Sequence, residues 1–443
     1  MDCVNTFAHH FKSYRHDVSA EARKYLAGLM QGGGRKNMLH MAELVPEADA
    51  RNLQQFLTHS KWDARAVMDQ VAQEANRALG DPREACLLLD ESGFDKQGKK
   101  SVGTARQWLG RLGKVDNGQV GVFGVLCCGQ RATLVDSRLY LPKEWTDDPE
   151  RCTDAGVPEA KQVFRTKDEL AVEILQHARQ QGLQFGWVGA DAGYGKSPAT
   201  FYRLTELGET FFIDVPSDFS VYLDAFVPTL PPTGKPGRPS QRYHTREPKQ
   251  QVRQLKALGV AANWQKVSVR ETTRGPLRLR AWRRVVYVWE SSQAVPVRLT
   301  LLVTENLDGT ERKYTLTNAP AKTALRRLVF QQRQRYWVER VFEDAKGTCG
   351  MADYQVQKWS GWQHHLALVM LALYFMLTER QHQAETLPLL TCADIEVLLA
   401  RFLPRRDVET AEVLRQVTAR HRLRARAMRS HARRAKIRKK PDD

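Results

Sequence analysis

The spacing of apolar residues predicts that the chain begins with helices. Residues 50–58 and 63–79 carry apolar side chains three and four positions apart, which is the period of a helix with one buried face. Ser60 or Asp63 is placed to cap the second of these helices. We therefore expect a small helical module over residues 1–80, which is either a separate binding module or a cap on the next domain.

From residue 85 the pattern changes to short apolar runs that are typical of buried strands. These runs cover residues 85–89, 119–128, 132–141, 185–190 and 211–213. Helices are predicted at 167–181 and 199–207, between the later runs. Three hairpin strands, a crossover helix and further strands in this order predict a mixed sheet with helices on its faces.

Beyond residue 215 the predicted structure changes twice. Strands are expected at 264–271, 277–289, 295–304 and 313–317. Because this block lies between two α/β segments, we interpret residues 216–316 as a β-rich insertion. Helices are then expected at 322–347, 362–380, 394–402 and 408–434. The apolar run at 366–377 is too short to span a bilayer, so it predicts a buried helix.

The positive charge of the chain is concentrated near its C-terminal end. Lys and Arg number 68 against 50 Asp and Glu, but residues 413–440 hold twelve Lys and Arg and no acidic residue. Such a segment indicates a polyanionic partner, nucleic acid before membrane, with a solvated tail as the simpler alternative. The tail residues expected to bind DNA are Arg422, Arg424, Arg426, Arg433 and Arg434.

The cysteine pattern indicates a reducing compartment. Seven cysteines occur, an odd number without a CxxC pair, which argues against a disulfide scaffold and a zinc ribbon. The N-terminal sequence also lacks the apolar core of a signal peptide. We expect a cytoplasmic protein.

Two aspartates and one helix form the candidate chemical site. Asp90 and Asp191 each follow an apolar run, at the predicted carboxyl end of a core strand, where ligands gather in α/β sheets. On a helix through residues 335–346, Glu339 and Glu343 share one edge with basic residues, beside an apolar stripe. The structural alternatives are an Asp that caps a turn and a solvated helix face with Arg–Glu pairs.

Carboxylates in this arrangement suit the cleavage of a phosphodiester. Two divalent ions roughly 3.5–4 Å apart activate the attacking oxygen and stabilise the leaving oxygen, and carboxylates hold them. We expect Asp90, Asp191 and one glutamate of this helix, Glu339 or Glu343, to be the catalytic residues and the metal ligands. Arg335 and Lys346, beside the acids, are expected to bind the phosphate backbone.

The segments around these acids resemble the three catalytic motifs of DDE transposases. They are LLLDESGFDKQGKKSVG around Asp90, WVGADAGYG around Asp191 and RYWVERVFEDAKGTCGM around Glu339. The resemblance is to the insertion sequence 701 family, within the clan that carries a β-strand insertion before the Glu, and it runs through nearly the whole chain. It implies a ribonuclease H-like core in a bacterial, nucleoid-associated protein.

The same resemblance implies cofactors and partners. Two Mg²⁺ ions are expected in each active site, with Mn²⁺ able to substitute. Double-stranded DNA is expected as the partner, both as terminal inverted repeats and as target, bound by a homodimer in the synaptic complex. No membrane partner is expected. The implied activity is cut-and-paste transposition.

Individual positions match the family pattern unequally. Asp90, Asp191 and Glu339 match the three metal-holding acids; Lys346 lies seven residues after the Glu and Arg335 four before it, as the family signature has them. The related clan often has Tyr three residues before that Arg, where this chain has Gln332. This departure weakens any expectation of a phosphate contact there or of a hairpin intermediate. Glu343 shares the helix edge, so it remains the rival third acid.

These features together predict an α/β protein of five parts. They are a helical N-terminal DNA-binding module (1–80), the first part of a ribonuclease H-like catalytic core (81–215), a β-rich insertion subdomain (216–316), the second part of the core with the Glu helix (317–380) and a helical C-terminal region with a basic DNA-binding tail (381–443).

Two other functions stay open. A domesticated transposase would bind DNA without catalysis, even with intact acids. Residues 190–197 (ADAGYGKS) approach the phosphate-loop pattern, which keeps a nucleotide hydrolase as a remote alternative, although Asp191 would face the phosphates. Arg238, in a Gly-Arg-Pro segment, resembles a minor-groove hook and is also expected to bind DNA, with a mobile linker as the alternative.

Several aromatic residues carry weaker signals. Trp264, Trp282 and Trp289 either stack on an unpaired base or, more simply, pack in a core. His364 and His365 are adjacent on a predicted helix and point about 100° apart, so they do not readily share a metal ion. We expect them to be structural or to contact DNA.

Overall fold

The computed structural model describes residues 5–13, 16–32, 34–231, 241–255, 263–272 and 274–438. Its helices are α1 (Ser19–Met30), α2 (Met38–Leu44), α3 (Ala50–Thr58), α4 (Ala64–Leu79), α5 (Lys143–Thr146), α6 (Pro149–Asp154), α7 (Lys167–Gln180), α8 (Pro198–Glu206), α9 (Leu325–Arg333), α10 (Tyr336–Gly347), α11 (Trp359–His382), α12 (Cys392–Phe402) and α13 (Thr410–Arg438). Its strands are β1 (Lys12–Ser13), β2 (His16–Asp17), β3 (Asp81–Asp95), β4 (Ala105–Leu109), β5 (Lys114–Cys128), β6 (Arg131–Leu139), β7 (Phe185–Ala190), β8 (Phe211–Asp214), β9 (Ser220–Val221), β10 (Gln250–Gln251), β11 (Gln265–Thr272), β12 (Gly275–Val288), β13 (Val297–Asn306) and β14 (Arg312–Thr317).

The core of the fold is a mixed sheet in which five strands lie in the order β6–β5–β3–β7–β8. β3, β7 and β8 are parallel, whereas β5 runs antiparallel to both β3 and β6. α7 connects β6 to β7 and α8 connects β7 to β8, so the parallel strands are joined by helical crossovers. This order and these directions define a ribonuclease H-like sheet, which confirms the predicted fold class.

The strands expected between residues 216 and 316 continue the same sheet. β14 pairs antiparallel with β8, and β13, β12 and β11 follow outward in turn. Short strands β9 and β10 form a separate pair. β4 was not expected, because its sequence ARQWL buries only its first and last residues and so has no apolar run.

Two local predictions are wrong. Asp90 does not end its strand: β3 runs on to Asp95, because β5 keeps pairing with it up to Gly118. Only the pairing with β7 ends before Asp90. The helix predicted over 322–347 is divided into α9 and α10 at Gln334 and Arg335, where the backbone makes tight i to i+3 hydrogen bonds.

The N-terminal helices pack directly on the ribonuclease H-like sheet and on α11. α4 lies against α11 and β6, and its N-cap is Asp63, which accepts hydrogen bonds from two backbone amides of the first turn. α11 contains the predicted apolar run and buries most of its length. None of the described helices is both long and apolar enough to cross a membrane.

The loop ahead of α2 is anchored by its lysine. Lys36 is buried, and its ammonium lies 2.7 Å from a Glu396 carboxylate oxygen on α12 and also bonds the Thr348 carbonyl. A buried ammonium needs such acceptors, since it has lost its water.

Trp282 and Trp289 are buried, with Trp264 packed edge-on to Trp282, which agrees with the core alternative for the tryptophans.

Candidate active site

Asp90 and Asp191 lie side by side on neighbouring parallel strands. The last residue pair between β3 and β7 is Leu89 with Ala190, so each aspartate comes one residue beyond it. Asp90 is 9% exposed, and its Oδ1 accepts a hydrogen bond from the Glu91 amide. Burial and the nearby Asp191 carboxylate raise the pKa of Asp90 to about 7. Two carboxylates so close together favour a bound cation.

The turn after Asp191 is built to hold that carboxylate. Asp191 Oδ1 accepts a hydrogen bond of 2.8 Å from the Gly193 amide. A side chain at Gly193 would crowd the same oxygen, and one at Gly195 would collide with the Asp214 carbonyl. Tyr194 is buried, and Ser197 caps α8. The two glycines therefore allow the backbone of this turn to pass close to the Asp191 carboxylate and to β8. Their spacing resembles that of a phosphate loop, but close packing explains it.

Arg335 lies at the centre of the acidic residues. Its Nη2 is 2.9 Å from Glu339 Oε1, its Nε is 3.4 Å from Asp214 Oδ2, and its Nη1 is 3.8 Å from Asp90 Oδ2. Burial opposes the charged form, but Asp214, Glu339 and the other carboxylates outweigh it and raise the pKa of Arg335. In this structure Arg335 is the counter-ion of the acids, and its contact with the phosphate backbone stays a prediction.

Asp214 is the member of the site that the sequence reasoning missed. It is the last residue of β8, its side chain is 13% exposed, and it lies beside the parallel strand β7. Burial raises the pKa of Asp214, while Arg335 and the Thr315 hydroxyl oppose that rise. The signal was available, because Phe211, Phe212 and Ile213 form an apolar run that ends in Asp, as the runs before Asp90 and Asp191 do.

The two candidate third acids have different surroundings. Glu339 lies in the first turn of α10 and its carboxylate contacts Arg335. Glu343 is 68% exposed in its side chain and pairs with Arg340 instead. Within the described ranges, no three His, Cys, Asp or Glu side chains converge closely enough to hold a metal ion. Glu339 is thus joined to Asp90 and Asp214 through Arg335.

The residues present fit a divalent cation in part. Asp90 and Asp191 supply oxygen donors, which Mg²⁺ prefers, and their mutual repulsion would be relieved by the ion. Glu339 is turned towards Arg335, and more than half of its side chain surface is exposed. To bind the same cation as the two aspartates, the Glu339 carboxylate must leave its ion pair with Arg335.

The other predicted DNA-binding residues lie in two places. Lys346, on α10, donates a hydrogen bond of 3.3 Å to the Gly93 carbonyl of β3, and burial lowers the pKa of Lys346 to about 8. The tail arginines whose side chains the structure describes are exposed on α13; they are Arg422, Arg424, Arg426 and Arg433. Arg434 lies in the same helix, and Arg238 falls outside the described residues.

The paired histidines are buried on α11. The ring nitrogens of His364 lie 2.8 Å from the Leu57 carbonyl and 3.0 Å from the Trp62 carbonyl. His365 lies 2.9 Å from the Tyr25 hydroxyl and 3.2 Å from the Met351 carbonyl. Both side chains tie helices together inside the core, which is the structural alternative.

Comparison with known proteins matches the motifs to a family. Residues 6–276 match the family model of the DDE superfamily endonucleases, and this segment contains Asp90, Asp191 and Asp214. The chain is 32% identical over 223 residues to the probable transposase for insertion sequence element IS701 of Microchaete diplosiphon. That match covers 49% of this chain and 55% of the relative, so it spans about half the length of each.

A solved structure shows a distant likeness. The piggyBac transposase in its synaptic complex with hairpin DNA aligns at a TM-score of 0.40 and 8% identity, covering 90% of this chain and 75% of that one. The family model, by contrast, matches more than half of this sequence directly. The chain therefore belongs to the DDE superfamily of endonucleases, as the resemblance of its three motifs predicts.

Proposed function

We propose that this protein is a cut-and-paste DDE transposase of a bacterial insertion sequence. The observation that carries the proposal is the pair of adjacent carboxylates, Asp90 and Asp191, in a ribonuclease H-like sheet, with the Glu339 helix joined to Asp90 through Arg335. Membership of the DDE superfamily and the identity to a probable insertion-sequence transposase support it.

Asp90, Asp191 and Glu339 would hold two Mg²⁺ ions, or Mn²⁺ in their place. When bound, the ions activate the attacking oxygen and stabilise the leaving oxygen of the phosphodiester. The residues of the chain prepare this site. Before a cation binds, Asp90 must release its proton, and its raised pKa makes this release sensitive to pH near neutrality. The ion pair between Arg335 and Glu339 must also open.

The reaction has two steps at one site. Water attacks the phosphodiester at the element end, forming a new P–O bond while the bond to the 3′ oxygen breaks, and this frees a 3′ hydroxyl. That hydroxyl then attacks a phosphodiester of target DNA, displacing a 3′ oxygen of the target strand. Lys346 and the arginines of α13 bind the phosphate backbone, and a homodimer brings the two terminal inverted repeats together.

Strand cleavage tests this proposal. Purified protein and Mg²⁺ are added to a plasmid that carries the DNA flanking this gene, and wild type is compared with Glu339→Gln. Glu343→Gln is the matched control, since it changes the same kind of residue one turn along the same helix face. We expect cuts at the element ends from wild type and Glu343→Gln, and none from Glu339→Gln.

The other outcomes are equally informative. Cutting lost only in Glu343→Gln would keep the enzyme and replace the third acid. Tight, specific binding of the ends without cutting by wild type would contradict catalysis and indicate a domesticated DNA-binding protein. ATP hydrolysis lost in Lys196→Ala would instead support the nucleotide hydrolase.

A further inference from the structure

A chain of buried hydrogen bonds leads from the inserted strands to the acidic site. Arg333 Nη2 donates to Thr304 Oγ1 at 3.0 Å, and the Thr304 hydroxyl donates to Gln332 Oε1 at 2.8 Å. Gln332 Nε2 donates to Thr315 Oγ1 at 2.5 Å, and the Thr315 hydroxyl donates to Asp214 Oδ1. Every donor in the chain therefore points towards the Asp214 carboxylate.

The side chains that form this series of hydrogen bonds are almost fully buried. Thr304 and Thr315 have no exposed surface, and Gln332 is 4% exposed. Buried polar groups that lose a partner carry a cost, so each member is held by the next, and aligned hydrogen bonds strengthen one another. Asp214 is thereby fixed through Oδ1, while its Oδ2 faces Arg335 Nε at 3.4 Å.

The Arg335 guanidinium has three carboxylate neighbours, one on each nitrogen. Nε faces Asp214, whereas Nη1 and Nη2 face Asp90 and Glu339. Asp214 balances part of the Arg335 charge, and it is not one of the three acids that would hold metal. Without Asp214, that part of the charge would be balanced by Asp90, Glu339 and Asp191, and the two that contact Arg335, Asp90 and Glu339, would be drawn more tightly to it.

We propose that Asp214 is a positioning residue, held by Thr315, Gln332 and Thr304, which fixes Arg335 and so leaves Asp90 and Glu339 available to the metal. The inserted strands β13 and β14 thus shape the active site without contributing a ligand. This inference rests on the proposed function, since it takes Asp90, Asp191 and Glu339 as metal ligands. It also accounts for Gln332, which serves this buried chain where the related clan often has Tyr.

Calorimetric Mn²⁺ binding to the full chain tests the inference without any need for activity. We expect Asp214→Asn to weaken Mn²⁺ binding roughly 10–100-fold, the usual effect of removing a group that supports metal ligands. In the Arg335→Gln background, the same Asp214→Asn change should alter affinity by less than about threefold, because the residue through which Asp214 acts is gone. A merely structural loss would appear in both backgrounds.

Variants at Thr315 keep the test decisive if Asp214→Asn fails to fold. Thr315→Val removes the hydroxyl at nearly constant volume and should weaken Mn²⁺ binding in the same direction, whereas Thr315→Ser keeps the hydroxyl and should bind as wild type does. Asp308→Asn, at an exposed turn of the same β13–β14 hairpin, is the matched control and should have no effect.

The outcomes separate the two proposals. Equal weakening by Asp214→Asn in both backgrounds, or wild-type affinity in both Asp214→Asn and Thr315→Val, would overturn the positioning role alone. Mn²⁺ binding that is absent from wild type, or unchanged in Asp191→Asn, would overturn the proposed metal site and this inference with it.

Discussion

The site is dominated by the cost of keeping carboxylates out of water next to one another. Asp90 is almost fully buried beside Asp191, and the Arg335 guanidinium offsets only part of that cost. In the absence of a bound cation, the folded protein therefore holds the Asp90 proton up to about pH 7. Residues that prepare a metal site in this way destabilise the empty protein.

This cost predicts how stability depends on pH. The pKa of Asp90 is about 7 in the folded protein and close to 4 in the unfolded chain, so the folded state binds the extra proton between these values. Stability should fall as pH rises from about 4 to 7, by on the order of 4 kcal/mol at most. Unfolding of the protein in chelator at pH 4.5, 6 and 8 measures this loss.

The Asp90→Asn variant cannot ionise at that position, so it should lose less stability over the same pH range than wild type does. Asp147→Asn, at an exposed position, is the control and should follow wild type. A pH profile of Asp90→Asn that coincides with the wild-type profile would show that Asp90 is already ionised in the folded protein.

At the scale of elements, α11 joins the N-terminal helices to the sheet. His364 on α11 lies within hydrogen-bond distance of two carbonyls, at the end of α3 and in the segment that leads to α4. Its ring also stacks on Trp62, with the centroids 4.0 Å apart. Because these carbonyls belong to the connection between α3 and α4, His364 determines how both helices sit on α11.

His364→Ala should therefore destabilise the protein by about 3 kcal/mol, from the lost partner of a buried carbonyl and the cavity beside Trp62. His382→Ala, at the exposed end of the same helix, is the control and should change stability by no more than about 0.5 kcal/mol. Denaturant unfolding measures both. Equal losses of stability in the two variants would show that His364 does not hold these helices together.

At the scale of the whole molecule, apolar packing and positive charge are separated. One buried cluster runs from Phe7 through the sheet to Ile395 on α12. α13 is attached near its start, where Arg406 donates to the Ala48 carbonyl at 2.6 Å and Arg420 bonds Glu43 at 2.7 Å. Beyond Arg420 the described side chains of this helix are mostly exposed, which suits electrostatic binding to a polyanion.

This separation predicts that truncation after Arg420 weakens DNA binding and flattens its dependence on salt. Each phosphate contact adds a slope of about −0.9 to log K against log salt for duplex DNA, so lost contacts reduce the slope. Changing Arg422, Arg424, Arg426 and Arg433 together to Gln should have the same effect, whereas changing them to Lys should keep the slope. Binding titrations at several salt concentrations decide this, and an unchanged slope after truncation would contradict it.

The sequence by itself determined the elements and three candidate acids. Local periodicity predicted most of the strands and helices, because burial of one face or of a whole strand repeats within a few residues. The run-then-Asp pattern pointed to Asp90 and Asp191. The helix periodicity left both Glu339 and Glu343 open, and the resemblance to the transposase motifs favoured Glu339. The alternation of strands and crossover helix predicted a mixed sheet with helices on its faces, and the resemblance to transposases implied its ribonuclease H-like form.

Only the tertiary structure decided how these residues interact. The helix break at Gln334 and Arg335 and the extension of β3 past Asp90 depend on partners far away in the chain: Cys127 Sγ donates to Gln334 Oε1, and β5 pairs with β3 to its end. Arg335 became a counter-ion because Asp214, which is more than a hundred residues earlier, lies beside it. Hydrogen bonds and ion pairs form between groups that are close in space, and a local sequence pattern does not specify which distant residue will be the partner.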